Sequence, residues 1–566
     1  MRTTDPRPTQ ALSPTVTEDL PVCSVGDVLR MRAGDQNPGL RFEDETWTWA
    51  EVVEASARRA AWLEQQRRGG PFHIAVLLEN VPDFVFLLGA AGIGGAVIVS
   101  LNPTRRGAEL ARDIEYTDCQ LLVTDSGFAE LLKDVDLPFP RDRVCFVDSP
   151  EYRDAVDANR ETGELHSVTA PDDLYMLIFT SGTSGTPKAV RYPHRTAAMP
   201  GFSISAQYRT GAGDVLYAAM PLFHSNAIIT SWSHGLASGA TIAMRRRFSA
   251  SAFLPDVRRY GVTFFGYVGK PLSYVLATPE HPDDADNTLR LALGNEGADG
   301  DLQRFAARFG CQVFDAFGST EGGVGVHRTP DTPPGSIGKP RAGIVIANPE
   351  TSQTCPPARF DERGQLLNAE EAIGEMVNTT GAGLFQGYYR NEEANAERMR
   401  GGWYWSGDLA YADEQGFYYF AGRTLDWLRV DGENFAAAPV ERVLERHPDI
   451  VLAPVFAVPA VDVGDDVMTA LLLRDDAKFD GDEFARFLGA QPDLGTKWVP
   501  RYVRIARSLP QTETNKVLKR ELARERWDCD DDVWWRPGRE IEFRRLTEAD
   551  AQYLAGQRSA RSGGRG

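Results

Sequence analysis

The chain has 566 residues, of which 42% are hydrophobic and 25% charged. At about 150 residues per domain this is enough for three to four folding units of ordinary globular composition, which excludes a single small module, a disordered chain and a fibre. Lys and Arg number 61 against 80 Asp and Glu, a formal net charge of −19, so non-specific attraction to nucleic acid or anionic lipid is disfavoured and anionic ligands must meet local basic sites.

The opening MRTTDPRPTQALSPT carries Pro and Thr where a signal peptide needs an apolar stretch, so residues 1–22 are expected to form a flexible leader. The uncharged run from Phe84 to Val99 is shorter than the ~20 residues that span a bilayer and contains Gly89, Gly92, Gly94 and Gly95. A buried helix leading into a strand at Val97-Ile98-Val99 is predicted there. Apolar bursts such as His73–Leu78, Gln120–Thr124 and Val262–Phe265 alternate with helical patterns to about residue 420, which predicts α/β layers with largely parallel sheets. After Gly422-Arg423 the elements shorten: a helix around Pro439–Arg442, then strands at Pro454–Val458 and Val467–Leu473. A smaller α+β unit beginning near Asp426 is predicted, followed from residue 541 by a tail, disordered at its Gly-, Ser- and Arg-rich end.

The six cysteines lie far apart with no CxxC pair, and the eight histidines form no HExxH or Cys/His ligand spacing. A reducing cytoplasm and no zinc are expected. The strongest basic cluster, Met244-Arg245-Arg246-Arg247-Phe248, reads as a solvated strand end in preference to a CoA-phosphate or membrane contact.

The first chemical signal is a loop. A strand pattern at Leu174–Phe179 runs into Thr180-Ser181-Gly182-Thr183-Ser184-Gly185-Thr186-Pro187-Lys188 and resumes at Ala189–Tyr192. Glycines let backbone N–H groups approach phosphate oxygens, hydroxyls add donors, and the lysine supplies charge. No GxxxxGK[ST] string occurs, which weighs against an ordinary P-loop NTPase. A Ser/Thr/Gly-rich surface linker is the plainer reading of the composition, weakened by the abutting strands and the terminal lysine.

Residues 180–188 resemble the signature loop of the adenylate-forming superfamily, which includes acyl-CoA synthetases, peptide-synthetase adenylation domains and luciferases. Further motifs follow in family order: Pro221-Leu222-Phe223-His224-Ser225, Gly294-Asn295-Glu296-Gly297, Phe317-Gly318-Ser319-Thr320-Glu321, Tyr404-Trp405-Ser406-Gly407-Asp408, Gly422-Arg423-Thr424-Leu425-Asp426 and Leu509–Lys516. The whole pattern, with Trp534-Trp535-Arg536 after the lysine, is most similar to the very-long-chain acyl-CoA synthetase or fatty acid transport protein branch and, within it, to actinobacterial long-chain fatty-acid CoA ligases. The resemblance implies an α/β fold with a large N-terminal domain of layered α/β subdomains, residues 23–425, and a smaller, mobile α+β C-terminal domain, residues 426–540.

The resemblance also implies the chemistry. A carboxylate and ATP, two anions, must meet, which needs cations aimed at the developing charge. Lys516 is then the residue bridging carboxylate and α-phosphate, and Glu321 the Mg²⁺ ligand. Thr180, Ser181, Gly182, Thr183, Ser184, Gly185 and Lys188 cradle ATP phosphates. Asn295 and Glu296 contact adenine, which Phe317 covers, with Gly318, Ser319 and Thr320 completing that loop. Most relatives carry tyrosine at position 317; phenylalanine keeps the stacking face and loses the hydroxyl. Asp408 binds ribose with Arg423 assisting, His224 meets the carboxyl end of the acyl chain, Asp426 is the hinge, and Gly432 and Glu433 face CoA. Taken singly, Lys516 is a solvated charge, Asp408 a loop acid at a turn and His224 a packed core residue; the motifs favour the functional roles.

ATP, Mg²⁺ and CoA are the implied cofactors and substrates, with a long-chain fatty or steroid side-chain acid as the acyl donor and a cytoplasmic location, peripheral membrane contact being left open. A non-catalytic fatty-acid carrier or uptake protein is the competing class, and an adenylating enzyme with another acceptor the competing chemistry. An amino-acid-activating domain lacks support, because no acidic residue lies in Phe223–Asn226 to pair with a substrate ammonium.

Overall fold

The computed structural model describes residues 22–159, 168–180, 188–297, 299–329, 331–361, 366–423, 427–430, 433–460, 465–491, 494–495, 497–511, 517–538, 540–551 and 553–554. Two sheets take up the strands of the first 340 residues. One has six strands in the order Val144–Phe146, Cys119–Thr124, His73–Leu77, Val97–Ser100, Leu174–Thr180 and Lys188–Pro193, parallel except at the last pair. The other has nine, and its central six, from Pro38–Phe42 across to Gln312–Gly318, are parallel.

The predicted buried helix is Pro82–Gly94, leading into Val97–Ser100. It is apolar on every side because it lies between other layers, as its ten buried residues show. A Cβ on Gly89 would lie 2.1 Å from Ser56 Oγ; the missing side chain is what lets the helix Trp49–Gln66 approach so closely.

The expectation of largely parallel sheets to residue 420 needs correction in its last part. The strands Ile344–Ala347, Gly374–Asn378, Trp403–Ala412, Met399–Arg400 and Tyr418–Arg423 form a separate sheet in which every pair is antiparallel. The described parts of their connections carry only the short helices Ala369–Ala372 and Glu392–Arg398, shorter than the crossovers that parallel pairing requires.

The remaining elements form a smaller α+β unit with its own cores, around Leu428, Val440, Leu444, Val455, Leu471 and Phe484 on one side and Leu452, Met468, Tyr502 and Trp535 on the other. Its main sheet is mixed, Asp465–Leu473 lying parallel to Tyr502–Ala506 and antiparallel to Val455–Pro459. Packing continues past the expected start of the tail at residue 541: Arg544–Arg545 pair with Trp534 and Trp535, and Leu554 is buried. The apolar Phe543 and Leu554 hold this stretch against the cores. Residues 555–566 lie outside the described part. Among the described residues no helix is long and apolar enough to cross a membrane, and all six cysteines are free thiols.

Candidate active site

Three parallel strands end side by side. Val268 pairs with Asn295, and Asn295 with Ala316, so the turn Asn295-Glu296-Gly297 and the motif Phe317–Glu321 leave the same end of the sheet. Glu296 takes a left-handed conformation, φ 64°, and the turn is pinned from below by a residue that sequence reasoning missed. Asp315 accepts hydrogen bonds from Gly297 N and from the Tyr267 hydroxyl, each at 2.9 Å. Burial pushes its carboxyl up to about 7 despite nearby Arg328 and these two donors. The Phe317 ring, half-buried, lies 5.4 Å from that of Phe420, and Ser319 O accepts from Gly322 N, closing a tight turn that contains Thr320 and Glu321.

The His224 segment meets both loops. Buried Asn80 holds it, accepting from Leu222 N and donating to Met220 O, both at 2.9 Å. His224 stands at the start of the short helix Ser225–Ala227 with its ring 4.4 Å from that of Phe223. Ser225 and Thr320 share a hydroxyl–hydroxyl hydrogen bond of 2.9 Å, and Asn226 Nδ2 donates to Asn295 Oδ1 at 3.0 Å. A π-helical turn, Ile228–Ser233, follows, a form that recurs beside functional sites.

Glu321 and Lys188 are brought together by Tyr388. The Tyr388 hydroxyl donates to Glu321 Oε1 at 2.9 Å and receives Arg398 Nε at 3.1 Å. The Lys188 ammonium sits 5.4 Å from the centre of the Tyr388 ring and 3.2 Å from Glu397 Oε2. Lys188 is buried, whereas the Glu397 side chain is 63% exposed. Neither Tyr388, Arg398 nor Glu397 belongs to a sequence pattern that reasoning from residues alone could single out; their role comes from tertiary placement.

Asp408 is a buried residue of the strand Trp403–Ala412, which corrects its plain reading as a turn acid. Gly407 explains the misreading: at φ 75° it interrupts the strand locally, and its N–H donates to buried Glu375 at 2.6 Å. Ser406 Oγ accepts from Asp408 N and donates to Met376 O, so the backbone that carries the carboxylate is fixed at both ends. Arg423 is the cross-strand partner of Asp408 in the register.

A family model described as an AMP-binding enzyme matches residues 31–389. The chain belongs to the AMP-binding enzyme family. Relatives of this AMP-binding enzyme include the steroid-22-oyl-CoA synthetase of Rhodococcus jostii (strain RHA1), 49% identical over 541 residues that cover 94% of this chain and 96% of the relative. The medium/long-chain-fatty-acid CoA ligase FadD17 of Mycobacterium tuberculosis is 50% identical over 523 residues, 92% of this chain and 98% of the relative. The solved structure of the anthranilate CoA ligase AuaEII in complex with anthranoyl-AMP shares the fold, with a TM-score of 0.76 at 20% identity over 89% of this chain and 97% of that one. The expected membership of the adenylate-forming superfamily, near actinobacterial fatty-acid CoA ligases, is borne out.

Several expected positions of the AMP-binding enzyme fall outside the described residues: Ser181, Gly182, Thr183, Ser184 and Gly185, the hinge Asp426, Gly432 and Lys516. The loop's base is described, Thr180 pairing with Lys188 across the hairpin. Glu433 begins a strand antiparallel to Trp427–Val430. Among the described residues no group of three or more carboxylate, imidazole or thiol side chains could hold a metal ion. Glu321, held by the Tyr388 hydroxyl, could carry a Mg²⁺ shared with substrate phosphates and water. The basic cluster is locally neutralised: Arg245 pairs with Asp256 at 2.7 Å, and Arg246 and Arg247 both meet Glu79.

Proposed function

We propose that this AMP-binding enzyme is an ATP-dependent acyl-CoA synthetase for a long-chain fatty or steroid side-chain carboxylic acid. The observation that carries the reading is the convergence of Lys188 and Glu321 on Tyr388, which supports a cation and a metal-binding carboxylate side by side at the phosphates of a nucleotide. The relatives named above support the acyl class and the thioester product.

In the first step a carboxylate oxygen attacks the α-phosphorus of ATP, the bond to the β,γ-pyrophosphate breaks, and acyl-AMP forms. Mg²⁺ held by Glu321 would neutralise the departing oxygens. Lys188 meets the phosphates, its exposed partner Glu397 swinging aside. Lys516 bridges the carboxylate and the α-phosphate. Asp408, acceptor-only when ionised, takes the ribose hydroxyls, and the Phe317 face covers adenine. In the second step the CoA thiolate attacks the acyl carbon and AMP leaves, after rotation of the small domain about Asp426 has withdrawn Lys516 and presented Gly432 and Glu433. We place the reaction in the cytoplasm, where the six thiols stay reduced.

The test is pyrophosphate release with ATP, Mg²⁺ and a panel of fatty and steroid acids, followed by thioester mass after CoA is added. AMP, pyrophosphate and a thioester are expected. No release with any acid favours a carrier, and formation of ADP with phosphate overturns the reading.

A further inference from the structure

A continuous bonded path runs from the adenine-side turn to the residue beside Lys516. Asn295 O accepts from Gly269 N at 2.8 Å, Lys270 comes next, and Tyr274 N donates to Lys270 O at 3.0 Å one helical turn later. Tyr274 leaves the large domain: its ring packs against the small-domain core of Leu452, Phe456, Met468, Tyr502 and Leu509, alone among the described residues before 428. Its hydroxyl accepts a hydrogen bond from Gln511 Nε2. Gln511 is bridged to Val517, which packs against the same core and directly follows Lys516 in the chain.

Beside this path Lys270 Nζ meets Glu445 Oε1 at 2.8 Å, with side-chain exposures of 22% and 19%. Glu445 continues the small-domain helix Ala437–Leu444, its N–H bonded to Glu441 O. Burial opposes the Lys270 charge, yet Glu445, with Glu441 and Asp301, more than offsets it and holds the ammonium above its ordinary range.

We infer that Lys270 and Tyr274 are positioning residues for acyl-AMP formation, docking the small domain through Glu445 and Gln511 in the pose that holds Gln511, and Val517 bridged to it, against the large domain. This rests on the proposed acyl-CoA synthetase reading. Both contacts cross between domains and neither belongs to the large domain's main core, so they bias which pose is populated while each domain keeps its own packing. A rotation that admits the thiol must break both. The latch is therefore favourable for one half-reaction and neutral or costly for the other.

The test separates the halves. Pyrophosphate release from acid and ATP, and thioester formation from supplied acyl-AMP and CoA, are measured for wild type, K270M, Y274F and K270R. Y274F removes only the hydroxyl, and K270R keeps the charge. Expected is a loss of about tenfold in pyrophosphate release for K270M and Y274F, the scale of one coupled contact, with thioester formation unchanged or faster and K270R near wild type. Equal loss in both halves, or no loss in either, overturns the inference while leaving the function intact. A wild-type protein that releases no pyrophosphate with any acid overturns the functional reading and this inference with it.

Discussion

The Tyr388 hydroxyl donates to Glu321 Oε1 at 2.9 Å, so the carboxylate proposed to hold Mg²⁺ is aimed by a buried phenol sixty-seven residues further along the chain. In Tyr388→Phe the carboxylate loses that donor and Arg398 Nε loses an acceptor. A hydrogen bond to a charged group is worth about 1.5–3 kcal/mol. We expect at least about a tenfold fall in pyrophosphate release and a higher Mg²⁺ concentration for half-maximal rate. An unchanged Mg²⁺ titration counts against the aiming role.

Lys516→Ala tests the electrostatic centre directly. Synthesis from the free acid should fall by at least the ~10²–10³-fold typical of removing one preorganised donor, while thioester formation from supplied acyl-AMP continues. Normal turnover of the free acid by this variant removes Lys516 from the mechanism.

Asp408→Asn keeps the volume but replaces one acceptor oxygen by a donor. Because Ser406 and Met376 fix the backbone there, the strand should hold and the loss should fall on ATP. KM for ATP is expected to rise by about 10- to 100-fold, the equivalent of ~1.5–3 kcal/mol, with KM for the acid little changed. A matching rise for both substrates points to a misfolded sheet instead.

Asp315 gives a pH dependence with a definite sign. Its folded-state carboxyl titrates at about 7 against an ordinary 3.8, chiefly through burial. Between those values the folded chain holds a proton that the unfolded chain has released. Its contribution to stability is thus full below about pH 3.8 and is lost as pH rises through about 7, by at most ~1.4 kcal/mol per pH unit. Asp315→Asn stays neutral throughout, so its stability relative to wild type should improve steadily from about pH 4 to pH 7 and level off above that in urea unfolding. A difference that does not change with pH sinks the assignment.

The sequence made some elements legible and left others hidden for physical reasons. The helix Pro82–Gly94 and the strands His73–Leu77 and Cys119–Thr124 announce themselves because full burial demands continuous apolar runs. The antiparallel sheet of residues 344–423 does not, since strand direction is decided by pairing partners far apart in the chain, such as Ile344 with Asn378. Positions in short motifs, Glu321, Asn295 and Asp408, could be named individually. Tyr388, Asp315, Asn80 and Asn226 could not, because each works through a contact with a residue far away in the chain or in another loop, which no local pattern announces.

The bonds from Ser225 to Thr320 and from Asn226 to Asn295 join the segment proposed to meet the acid to the two turns proposed to meet the nucleotide. Affinities at two such mechanically shared sites must influence each other equally: whatever factor a bound acid adds to the hold on ATP, bound ATP returns to the acid. Under that proposal an acid of the wrong shape, by failing to seat this segment, would weaken capture of the nucleotide itself, and discrimination among acids would begin before any phosphoanhydride bond is broken.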